Sequence, residues 1–166
     1  VRHRPNYELR ALVVIASPGD VARYNLAPVD TAVELAATRL GLGDIATTEL
    51  APRGQATLNN LAQQLRDGYD ILYLVAHGAL VDGEPWLFLE DADGTTARVL
   101  GWDLVTRIQE LRERPRLVVL ASCQSAGQGD DALLGAGARV GGALSALGPR
   151  LAEVGVPAVL AMQGNI

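Results

Sequence analysis

A chain of 166 residues, 49% hydrophobic and 20% charged, is long enough to bury one core and too apolar to stay disordered. Its net charge of −5 with no basic cluster argues against a nucleic-acid surface, and no apolar run approaches the ~20 residues of a membrane span. The single cysteine, Cys123, cannot form an internal disulfide and no cluster supports a zinc site, which fits a reducing compartment.

The start, Val1 to Arg10, carries charges with no apolar h-region behind them, so it does not read as a signal peptide. Arg10 to Ser17 reads as a buried parallel strand ended by Pro18-Gly19-Asp20. Pro28 then opens a helix in which Val29, Val33, Ala36 and Leu40 recur at helical spacing, closed by Gly41 and Gly43. Ile45 to Leu50 is a second strand, followed by the turn Pro52-Arg53-Gly54. Thr57 caps a helix with Leu58, Leu61, Ala62 and Leu65 on one face, and Gly68 ends it.

Asp70 to Gly78 is the third strand and delivers His77. Trp86–Glu90 and Thr96–Leu100 flank Asp91-Ala92-Asp93-Gly94 as a small hairpin; the turn resembles the start of a calcium loop but lacks the closing Glu. Leu104, Val105, Ile108 and Leu111 form an amphipathic helix stopped before Pro115, with Arg112, Arg114 and Arg116 as solvated charges at its end. Leu117 to Ser125 is the strand that carries Cys123. Gly127 to Gly142 reads as a mobile loop. Its Gly135, Gly137 and Gly141 are spaced one residue too far for a dinucleotide fingerprint, and no P-loop Lys follows. Val140, Leu144, Leu147 and Leu151 continue as a helix broken at Gly148-Pro149, and Val156 to Met162 is the fifth strand. Such alternation predicts an α/β fold with a mainly parallel sheet of about five strands, helices on both faces and a hairpin after the third strand.

His77 and Cys123 stand at equivalent ends of consecutive strands, where an open parallel sheet presents its crevice. An imidazole beside a thiol can lower its pKa or take its proton, which makes base and nucleophile of the pair. The backbone N–H groups of Gly78 and Cys123 are candidate oxyanion donors, while the small Ala76, Ala121 and Ser122 leave the cleft open. No orienting carboxylate is evident. No Gly-x-Ser-x-Gly elbow occurs, which disfavours a serine hydrolase. Acyl transfer to Cys does not itself choose peptide over ester, so another thiol hydrolase or acyltransferase and a non-catalytic scaffold stay open beside a peptidase.

The segments Tyr73 to Gly78, Val119 to Ser125 and Gly155 to Gln163, with the Leu87-Phe88-Leu89-Glu90-Asp91 hairpin, resemble the CHAT domain, the caspase-like domain often fused to tetratricopeptide repeats in bacteria. The His-to-Cys separation also fits the roughly 50 residues noted for caspases, though Ala-Ser-Cys-Gln-Ser replaces the caspase signature itself. The resemblance implies a three-layer caspase-like fold related to caspases, separases and gingipains, and a cysteine endopeptidase with His77 as general acid/base and Cys123 as nucleophile. It implies no metal or organic cofactor, a protein or peptide substrate, a cytoplasmic setting, and regulation by attached sensor or helical-repeat domains. In that fold a further strand and specificity loops follow the fifth strand, so residues 1–166 read as a single domain cut from a longer protein before them. An acidic pocket group would select Arg or Lys at P1. Asp20, Asp130 and Asp131 are the candidates, each more readily explained as a solvated loop charge.

Overall fold

The computed structural model describes residues 8–124, 138–140 and 142–165, with 123–124, 138–140 and 163–165 described by their backbone alone. Among them, β1 (Arg10–Ile15), β2 (Ala46–Leu50), β3 (Ile71–Val75), β7 (Leu117–Gln124) and β9 (Ala158–Asn165) form one parallel sheet in the order β2-β1-β3-β7-β9. The helices are α1 (Thr31–Leu42), α2 (Leu58–Leu65), α3 (Gly101–Gln109) and α4 (Ala143–Glu153). Successive strand residues point to opposite faces, and both faces are covered, so the central strands are apolar throughout. Leu12, Val14, Leu72, Leu74 and Leu120 pack with Leu61, Leu65, Leu104, Ile108 and Leu147 from α2, α3 and α4. Val13, Ile15 and Val75 pack on the other face with Val29, Leu35 and Leu42. The predicted α/β fold with a five-stranded parallel sheet between helices is the observed one.

Two helices depart from expectation. α1 begins at Thr31, where the Asp30 carboxyl accepts from Val33 N at 3.1 Å, so Pro28 and Val29 belong to the preceding segment. Its inward face is Leu35, Thr38 and Leu42, while Val33 (54% exposed) and Leu40 (87%) face solvent. Apolar residues surround this helix, so periodicity could not choose the buried stripe. α4 runs unbroken through Pro149. Ser145, whose carbonyl loses its partner there, is exposed with Pro149, so water can serve that group.

Beyond His77 the chain does more than form one hairpin. β4 (His77–Val81), β5 (Glu84–Glu90), β6 (Thr96–Leu100) and β8 (Ala138–Val140) make a second, antiparallel sheet in the order β6-β5-β4-β8. The predicted Trp86–Leu100 hairpin is β5–β6. A further hairpin, β4–β5, turns on Asp82-Gly83, with φ of 52° and 79°, the signs a two-residue type I′ turn needs. Val140 lies in β8 instead of a helix, and the end of the predicted mobile loop is thus a strand paired with β4. The Gly135, Gly137 and Gly141 positions lie outside the described residues. The Asp93 carboxyl is engaged within its own turn, accepting from the N–H and hydroxyl of Thr95 at 3.0 and 2.7 Å.

Glu90, at the end of β5 and 1% exposed, ties three segments together. Its carboxyl oxygens accept from Ser17 N and Gly54 N at 2.6 Å each and from Ala56 N at 3.4 Å. Glu90→Ala strands these donors, and an unsatisfied buried donor costs about 1–3 kcal/mol. The substitution is therefore expected to lower stability by roughly 3 kcal/mol, read as a fall in urea midpoint at unchanged slope. A change within about 0.5 kcal/mol would contradict the tie.

Candidate active site

β3 and β7 pair in register up to Val75 opposite Ala121, and Ala76 N still donates to Ala121 O at 3.1 Å. There the pairing ends. One chain turns into β4 and the second sheet, while β7 continues beside β9 through Cys123 opposite Gly164. Two residues past the last registered pair stand His77, at the start of β4, and Cys123, on β7. A parting of neighbouring strands at their carboxyl ends is where an α/β sheet holds its ligands. Cys123 is placed by its backbone, its side chain lying outside the described residues.

His77 is 3% exposed and opens β4 opposite Phe88 of β5. Its Nε2 lies 2.8 Å from the carbonyl oxygen of Ala27. A carbonyl can only accept, so Nε2 carries the proton, and in the neutral ring the lone pair then sits on Nδ1. Burial pushes the imidazole below its ordinary pKa, the Ala27 bond opposing in part, so the ring is a neutral base at pH 7. A backbone carbonyl thus takes the orienting role for which the sequence showed no carboxylate. Any residue has a carbonyl, which hides this contact from sequence; the one local signal is Pro28, which biases Ala27 toward extended backbone.

Ala27 belongs to the strap between β1 and α1, and this strap is anchored along its length. Ser17 Oγ donates to Val29 O at 3.1 Å, and Gly19 N to Gly94 O at 2.9 Å. Val21 and Leu26 pack with Ala79 and Phe88, and the Tyr24 ring sits 5.2 Å from that of Phe88. Asp20, the first candidate acidic pocket group, is spent on the same task. Its Oδ1 accepts from Thr96 N at 2.7 Å and Thr96 Oγ1 at 2.6 Å, with Arg23 3.7 Å from Oδ2, and the Thr96 hydroxyl is the main cause of its lowered pKa. Asp130 and Asp131 lie outside the described residues.

Gly78 is buried in β4, and packing alone calls for glycine there. A Cβ would stand 2.9 Å from the Ala143 Cβ and 3.1 Å from Trp86 O. Gly78→Ala is expected to cost about 1–3 kcal/mol by overpacking, seen as a lower Tm in thermal unfolding. An unchanged Tm would mean that β4 and α4 shift apart without cost.

Among the described residues, no group of three or more His, Cys, Asp or Glu could hold a metal ion, and no helix is long and apolar enough to cross a membrane. A family model described as the CHAT domain matches residues 2–166. No curated protein matches the chain.

Proposed function

The chain belongs to the CHAT domain family, a caspase-like family, and from that membership we propose that it is a cysteine endopeptidase. The observation that carries the reading is the buried, neutral His77 whose Nε2 is committed to Ala27 O, which leaves Nδ1 as the base at the end of the sheet where Cys123 stands. In this reading Nδ1 takes the thiol proton as Sγ attacks the scissile carbonyl, then returns a proton to the departing amine. Water hydrolyses the thioester with the same nitrogen as base. The N–H groups of Gly78 and Cys123 stabilise the oxyanion.

The substrate is a protein or peptide chain. The enzyme works in a reducing cytoplasm, needs no cofactor, and is gated by attached sensor or helical-repeat domains. To test the reading, the full-length protein is incubated with a diverse peptide mixture and new termini are identified by mass spectrometry. New termini that vanish with Cys123→Ala establish the peptidase and read out P1. Their absence, even with candidate regulatory partners added, favours a caspase-like scaffold.

A further inference from the structure

Ser17 uses every polar atom it has. Its N–H donates to Glu90 Oε2 at 2.6 Å, its carbonyl accepts from Arg53 Nε at 3.2 Å, and its hydroxyl donates to Val29 O at 3.1 Å. The first two bonds fix where the residue sits, just past β1, which the sheet already holds through Ala16 N on Val75 O. The third reaches across twelve residues to the far end of the strap. Val29, side chain buried against Val13 and Ile15, is two residues from Ala27, whose carbonyl meets His77.

β5 organises this from below. Phe88 and Glu90 are two residues apart, so they share a face of that strand. Phe88 is the register partner of His77 and seats Val21 and Leu26 of the strap; Glu90 grips Ser17. One strand therefore sets the height of the imidazole and of the residue that closes the strap over it. Near the strap's end, Ala27 is held by packing of Leu26 and Val29 on either side and by the Ser17 hydroxyl.

We propose that Ser17 is a positioning residue whose hydroxyl, through Val29, fixes the Ala27 carbonyl against His77 and so locks the ring in its Nε2–H tautomer. The consequence for catalysis rests on the peptidase reading; the locking of the ring does not.

The test uses full-length protein labelled with 15N-histidine, with His77→Gln to assign the His77 signals. Long-range 15N–1H correlation gives the tautomer, and solvent exchange of the Nε2 proton gives how firmly the ring is held. Ser17→Ala deletes one oxygen and is expected to speed that exchange about tenfold, the effect of losing one neutral hydrogen bond on local opening. Ser17→Thr keeps the hydroxyl and is expected to hold exchange within about threefold of the original rate. On peptide substrate, kcat of Ser17→Ala falls about tenfold with KM within about twofold, as for a displaced catalytic group.

Unchanged Nε2 exchange in Ser17→Ala overturns the proposal, whatever the activity. Equal acceleration in Ser17→Ala and Ser17→Thr also overturns it, because the hydroxyl is then not what holds the strap. Faster exchange rescued by Ser17→Thr, in a protein that cleaves no peptide, upholds the positioning and fails the peptidase reading alone.

Discussion

Cys123→Ala in the full-length protein is expected to abolish peptide cleavage, lowering kcat by at least about 10⁴-fold with substrate binding retained. Cys123 is the only thiol among these 166 residues, so no other cysteine of this stretch can substitute for it. The size of the loss follows from covalent catalysis: without Sγ no thioester forms, and the neutral imidazole has only water to activate. Cys123→Ser sharpens the test. A serine hydroxyl holds its proton far more tightly than a thiol, and His77 is a weakened base because burial disfavours its imidazolium. The pair tuned for a thiol should therefore fail with serine nearly as badly as with alanine. Cleavage that persists in Cys123→Ala would sink Cys123 as nucleophile, and cleavage retained by Cys123→Ser alone would mean a stronger base than His77.

Much of this site was legible because it rests on strands buried on both faces. Leu72 and Leu74 serve one helix layer and Val75 the other, so apolar residues fill the run until His77 interrupts it. The same logic marks β7 up to Cys123, and parallel pairing then sets the two at matching levels. The second sheet was less legible, although one signal was present. Asp82-Gly83 between Ala79-Leu80-Val81 and Glu84 is a strong hairpin signature, and it shows that the chain continues past His77 as a strand. The face of α1 could not be read, since Val33, Ala36 and Leu40 form as good a stripe as Leu35, Thr38 and Leu42. Only the packing of Val13 and Ile15 decides between them. The contact of Ala27 with His77 is hidden for a different reason: its acceptor is a backbone carbonyl, brought to the imidazole across fifty residues.

His77→Gln is expected to lower kcat by about 10²–10⁴-fold, the usual worth of a positioned general base, and to remove two pH dependences that have the same origin. Burial lowers the folded-state pKa of His77 from its ordinary value near 6.5, while in the unfolded chain the ring titrates normally. For activity, the base is present above the folded pKa, so the acid-side fall of kcat/KM in the original protein is expected at a lower pH than an ordinary imidazole would give. For stability, the unfolded state binds more protons between the folded pKa and 6.5, so the free energy of unfolding rises with pH across that window and is flat above it. Acidification from pH 7.5 to 5 should thus weaken the original protein through this residue, and His77→Gln should lack that share of the slope. Urea unfolding at both pH values, in the Cys123→Ala background, checks the stability arm without any catalysis. An unfolding slope that His77→Gln leaves intact would mean that the ring is not held neutral by burial, and the base assigned to this site would have to be sought elsewhere.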